Sequence, residues 1–154
     1  MKRRTQQRGL ALVELAIAIF VLMSIAFGIT EFGRAIYQYN TLAKAARDAT
    51  RFLSMRDATD VAAKNQATCL AVYGNPGCAG TPLAPGLSPA MVSICDALAC
   101  PADHAAQGSA PVLNLVSVTI GGPNALPYTF NSLVSFIVPD IQFGPIGATM
   151  KQVL

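Results

Sequence analysis

Five side chains beyond residue 67 are equipped for chemistry: Cys69, Cys78, Cys95, Cys100 and His104. Four thiols pair into two disulfides in an oxidising compartment, with three connectivities open, and stay reduced or hold metal in a reducing one. A zinc site would use Cys95, Cys100 and His104, with Cys78 as a further ligand. The spacing argues against it, because no two cysteines form a CxxC pair and the chain has a single histidine. A Cys and His catalytic pair would draw on the same residues and has still less support. No glycine-rich phosphate loop, zinc-protease helix motif, serine-nucleophile elbow or carboxylate cluster is present. The expectation is therefore a non-enzyme with no catalytic, cofactor-binding or metal-binding residues.

One more ionisable group stands out by its surroundings. Glu14 is the sole ionisable side chain in the 21 residues from Leu10 to Thr30, LALVELAIAIFVLMSIAFGIT. At 1.5 Å per residue this run makes a helix about 31 Å long, which matches the hydrocarbon core of a bilayer. A carboxylate at the centre of a bilayer costs roughly 2.5 to 3.5 kcal/mol on insertion scales, so Glu14 asks for a partner. The plainer alternative is that it lies only about one turn into the run and snorkels to the headgroups.

The composition of the whole chain agrees with a membrane segment. Of 154 residues, 53% are hydrophobic and only 12% charged, against about 25% charged in an ordinary soluble domain. Mean hydropathy is +0.45. The net charge of +3 is too small to suggest nucleic acid, and it is concentrated in Lys2, Arg3, Arg4 and Arg8. The other seven basic residues and all eight acidic residues follow, leaving residues 10–154 at net −1. A basic flank before a single apolar run stays cytoplasmic, which places the C-terminal part in the periplasm or outside the cell. A removable signal peptide has the same general layout, but its apolar region typically spans about 7 to 15 residues. Arg3 and Arg4 alone make a weak twin-arginine export signal.

The elements that position these groups change character along the chain. Phe32, Ala35, Ile36, Tyr39, Leu42, Ala43, Ala46, Ala49 and Leu53 recur at helical spacing, and no proline precedes Pro76, so the periodicity predicts one helix from Leu10 to about Gln66, about 80 Å long. Gly28 and Gly33 flank the expected exit from lipid and mark either a hinge or a close helix contact. All ten prolines and nine of the twelve glycines lie beyond Tyr73, which sets an architectural boundary near residue 67.

Residues 74–89 read as loop. Strands are expected at Met91–Ala97 and Val112–Ile120, with a turn over Gly121–Asn124. A returning strand is expected from Tyr128 to Val138, whose second half reads equally as a short buried helix, and a last strand at Ile146–Val153. The fold class is α+β: a long N-terminal helix, membrane-spanning in its first half and amphipathic in its second, packed on a small antiparallel sheet. The segments are a basic leader at 1–9, a transmembrane helix at 10–30, an amphipathic extension at 31–66 and a cysteine-containing β-rich domain at 67–154. With that domain outside the cytoplasm, sequence neighbours are expected to pair, Cys69 with Cys78 and Cys95 with Cys100. Each bridge would contribute about 2 to 3 kcal/mol by constraining the unfolded chain.

The junction Gly9, Leu10, Ala11, Leu12, Val13, Glu14, Leu15 resembles the processing motif of type IV pilin-like proteins, a glycine before the apolar run and a glutamate five residues after it. Many type IV pilins have phenylalanine where Leu10 stands, and tight-adherence pilins favour an aromatic where Leu15 stands. The continuation GITEFGRAIYQYNTLAKAARDATRFLS, residues 28–54, and the later YGNPG at 73–77 resemble the TadE-like minor pseudopilins of tight-adherence (Flp) pili. The resemblance is strong over residues 8–77 and is one of pattern beyond.

It implies cleavage by a prepilin peptidase between Gly9 and Leu10. It further implies pairing of the new Leu10 α-amine with Glu14 of an adjacent subunit, setting register. Removing residues 1–9 would also delete four charges that oppose extraction of the helix from the bilayer. The implied partners are that peptidase, other minor pseudopilins, the major pilin helices, the inner-membrane assembly platform and membrane lipid, with no nucleic acid. The implied location is the bacterial inner membrane, with incorporation into the pilus as an extension of it. A permanently anchored periplasmic binding module and a type II secretion pseudopilin are the competing readings.

Overall fold

The computed structural model describes residues 3–57, 60–105 and 114–153. Helix α1, Arg3–Ser54, has 52 residues and so extends for about 78 Å. It is followed by α2, Val61–Tyr73, strand β1, Val92–Cys95, and the single turn α3, Pro101–His104. Strands β2, Leu115–Ile120, β3, Thr129–Phe130, β4, Ile141–Gln142, and β5, Ile146–Lys151, complete the chain. The expected α+β architecture is what forms: a long apolar helix packed on a small antiparallel sheet of order β1-β2-β5.

The unbroken helix to Gln66 does not form. Helix α1 stops at Ser54, where the Ser54 hydroxyl donates to the Arg51 carbonyl and the Val153 N–H from the C-terminal tail donates to the Ser54 carbonyl. Helix α2 starts anew at Asp60, whose carboxylate accepts the Ala62 N–H at 3.0 Å as an N-cap. The reversal has a packing cause. Ala63, Ala67 and Ala71 form an apolar stripe on α2, and folding back sets it against Ala49 and Leu53 of α1, where these residues bury with Val116 and Val118. A straight helix would have left that stripe in water. Helix α2 then runs to Tyr73, past the expected boundary near residue 67, and ends at Gly74. There φ is +74° and the backbone N–H returns to the Leu70 carbonyl at 3.0 Å.

Strand β2 is central, paired with β1 through Ile94↔Val118 and with β5 through Val118↔Ala148 and Ile120↔Ile146. Its alternate residues Val116, Val118 and Ile120 face the helices and are fully buried. Val116 and Val118 join the cluster at the C-terminal end of α1, whereas Ile120 joins Leu42, Ala46, Val72, Leu87, Tyr128 and Ile146 further back along it. Gly147 lets β5 approach β2, since a Cβ there would lie 2.5 Å from Thr119 Oγ1.

Other strand expectations shift in detail. The loop at 74–89 and the last strand are found, although β5 ends at Lys151; β1 is confined to Val92–Cys95, and Val112 and Leu113 lie outside the described residues. The returning strand from Tyr128 to Val138 is reduced to the two residues of β3, which pair with β4. Its second half is neither strand nor buried helix but a single turn, with the Ile137 and Val138 N–H groups on the Val134 carbonyl and with Leu133 and Phe136 exposed.

Candidate functional site

The N-terminal part of α1 stands clear of the domain. Residues 9–30 are exposed apart from Ser24 and Gly28, which are partly covered. An 18-residue window within Gly9–Ser54 reaches a mean hydropathy of 2.6 with none of it buried. The hydroxyls in this segment are satisfied by the helix itself: Ser24 donates to the Phe20 carbonyl at 2.9 Å, and Thr30 to the Phe27 carbonyl at 2.9 Å. That is how a polar side chain is tolerated in hydrocarbon. One long apolar N-terminal helix of this kind is compatible with a membrane anchor.

Gly9, Leu10 and Glu14 all lie within this uncovered stretch. Leu10 and Glu14 are four residues apart and so share one face of the helix. The ion pairs among the described residues are Arg34 with Glu31 and Lys64 with Asp96; Glu14 is in neither. The helix passes through Gly28 and Gly33 without a break, and a Cβ at either would meet nothing within 4 Å. Within this chain, then, the helix is unkinked at those glycines and neither makes a close helix contact.

The amphipathic stripe divides in two. Ala35, Leu42, Ala46, Ala49 and Leu53 are buried as expected, but Phe32 is 61% exposed, and Ile36 and Tyr39 are 47% exposed. The domain thus covers only one side of the stripe before Leu42: Ala35 is buried and Tyr39 meets Phe143 edge-on at 5.7 Å, whereas Phe32 and Ile36 face outward.

On the N-terminal side of Leu42 the domain is also held to α1 by a set of polar contacts that was not anticipated. Glu31 is buried and accepts a two-pronged interaction from Arg34 at 2.7 and 2.8 Å, together with the Leu133 N–H at 3.3 Å. The Arg34 guanidinium lies 5.3 Å over the Phe130 ring. Tyr128, fully buried, has its hydroxyl 2.8 Å from Gln38 Oε1 and 2.9 Å from the Pro85 carbonyl, and burial raises its phenol above the usual value. The Glu31 and Arg34 spacing was a readable signal for a helical ion pair; the Tyr128 contacts span 43 and 90 residues and left no local trace.

The cysteines close as Cys69–Cys78 and Cys95–Cys100, the pairing of sequence neighbours. With these sulfurs oxidised, the thiolates that zinc requires are not on offer, and His104 is turned elsewhere, its Nε2 2.8 Å from Ser117 Oγ. The loop between Cys95 and Cys100 is organised by Asp96, which accepts the Leu98 and Ala99 N–H groups at 2.9 and 2.6 Å and ion-pairs with Lys64 of α2. Burial pushes this carboxyl up. The Lys64 ammonium and the two N–H donors outweigh burial and hold it below its ordinary value of 3.8.

No curated protein and no solved structure matches the chain significantly. Residues 9–51 match the model of the TadE-like protein family. That stretch takes in the uncovered apolar segment and nearly all of the buried stripe, and over it the long helix of this chain is similar to the TadE-like family, which is consistent with a component of a tight-adherence pilus.

Proposed function

We propose that the chain is a minor pseudopilin of a tight-adherence pilus, inserted in the bacterial inner membrane with its N-terminus cytoplasmic and its domain periplasmic. It is cut after Gly9 by a prepilin peptidase and contributes packing, not catalysis. The observation that carries this reading is the uncovered TadE-like segment 9–30, with Glu14 exposed on the Leu10 face. A helix apolar all round and left bare by its own domain needs lipid first and other helices later. In the assembled state the Leu10 α-amine of one subunit would meet Glu14 of the next. Phe32, Ile36 and Tyr39, exposed just beyond, extend the surface available to neighbouring minor pseudopilins, pilin helices or the assembly platform.

The test is intact mass and N-terminal sequencing of C-terminally tagged protein from membranes with and without a matching prepilin peptidase. A peptidase-dependent start at Leu10, abolished by Gly9→Val, supports the proposal. A start at Met1 in both samples favours a permanently anchored module, and a start near Phe27 or Ile29 means a secreted domain. Pilus biogenesis in a strain carrying Glu14→Leu separates the amine-pairing role from mere anchoring, because leucine anchors at least as well as glutamate but offers no charge.

A further inference from the structure

The domain returns to α1 at an unexpected level. The turn formed by residues 131–140 meets the helix at Glu31, the residue immediately after the apolar run, through the Leu133 N–H and Glu31 Oε2 hydrogen bond. The headgroup region occupies roughly 5 to 8 Å on each side of the hydrocarbon core. Glu31 to Arg34 rises only about 4.5 Å along a helix. A membrane that ends at Thr30 therefore has this turn in its headgroup layer.

The turn is built for that position. Leu133 and Phe136 of the turn are apolar and stand 77% and 81% exposed, and Ile29 and Phe32 are exposed on α1 at the same height. Residues 105–139 contain no Asp, Glu, Lys, Arg or His. Asp140, which ends the turn, accepts the Ser132 N–H at 2.9 Å and so fastens its two ends. The Val134 carbonyl accepts the Ile137 and Val138 N–H groups, which leaves Phe136 at the tip. The two charges nearest on the helix, Glu31 and Arg34, satisfy each other. An exposed apolar tip held between hydrogen-bonded ends, with the nearest helix charges paired and the exposed Asp140 carboxylate at its far end, suits shallow insertion at a lipid interface.

We propose that the 131–140 turn is a second membrane contact: Leu133 and Phe136 dip into the outer-leaflet interface and fix the tilt and rotation of the domain on the bilayer before the subunit is extracted. This rests on the reading of residues 10–30 as a membrane span. Its occupant is lipid, because the patch continues directly from the end of the apolar helix.

The chain has no tryptophan, so single substitutions report their surroundings without background. Full-length Phe136→Trp, Phe20→Trp and Val153→Trp would be reconstituted in phosphatidylethanolamine and phosphatidylglycerol vesicles, with and without lipids brominated near the headgroup or deeper in the chain. Val153 is exposed and bonded to Ser54, about 35 Å along α1 from Glu31.

The expected result is blue-shifted Phe136→Trp emission that loses intensity with shallow bromine, Phe20→Trp emission lost with deep bromine, and Val153→Trp emission unchanged. Phe136→Trp behaving like Val153→Trp while Phe20→Trp is quenched would overturn the turn contact alone. Blue-shifted but unquenched Phe136→Trp emission would mean that protein covers the turn, and would overturn it equally. An unquenched Phe20→Trp would remove the span itself, and the inference with it.

Discussion

Replacing Asp96 by asparagine isolates the electrostatic contribution of one ion pair, that with Lys64. Asparagine keeps the oxygen that accepts the Leu98 and Ala99 N–H groups, so the loop between Cys95 and Cys100 retains its hydrogen bonds. What is lost is the charge opposite Lys64. Removing one partner of a buried ion pair costs about 3 to 5 kcal/mol, but the Lys64 side chain is 28% exposed and keeps part of its hydration. The expected loss is accordingly smaller, about 1 to 2 kcal/mol at pH 7.

The pH dependence carries a definite sign. The Asp96 carboxyl is held below 3.8 in the folded state. Its contribution is present in full above the unfolded value and is lost as pH falls through the lower folded value. The gap between wild type and Asp96→Asn should thus be constant from about pH 6 to 8 and close below about pH 4. Urea unfolding of the full chain in mild detergent, followed by tyrosine near-ultraviolet dichroism, measures it. A double-mutant cycle with Lys64→Met should place most of the loss in the pair. A gap that persists undiminished at pH 2.5, or a cycle with no coupling, would refute the assignment.

Three other perturbations test the packing. Gly74→Ala puts a Cβ on a residue at φ +74°, 3.2 Å from Leu83 Cδ2, and should cost about 1 to 2 kcal/mol in the same unfolding assay. Ala67→Leu adds a branched side chain where exposure is 0% between α1 and α2; overpacking should cost about 1 to 3 kcal/mol, and native-state hydrogen exchange should show α2 amides opening first. Tyr128→Phe removes the hydroxyl shared by Gln38 and the Pro85 carbonyl and should lower stability by about 1 to 2 kcal/mol. If these melting curves superimpose on wild type, the domain is not held to α1 in this way.

How much was legible follows the range of the interactions. The apolar run and its glutamate could be read directly, because a bilayer acts on hydropathy over a contiguous stretch. Cys69 with Cys78 and Cys95 with Cys100 are nine and five residues apart, so their pairing was also within reach. The break at Ser54 was not. Asp57, Thr59 and Asp60 offer capping groups, but neither glycine nor proline stands there, and helical spacing continues on both sides. The break is stabilised by Ala63, Ala67 and Ala71 meeting Ala49 and Leu53 across space. In the same way, the apolar pattern from Leu133 to Val138 suggested a strand or a buried helix, whereas the fold left Leu133 and Phe136 facing outward.

The sequence by itself determined the apolar helix with its TadE-like pattern, the charge asymmetry ahead of it and the α+β class, and it made neighbour pairing of the cysteines the expected one of three connectivities, since each depends on residues close together in the chain. Only the tertiary structure decided where α1 stops and which part of its stripe is covered. It alone brought Lys64 to Asp96, Tyr128 to Gln38 and the 131–140 turn to Glu31. These last depend on groups 32, 90 and 102 positions apart, and no local pattern encodes such distances; they are fixed when the sheet closes on the two helices and excludes water from between them.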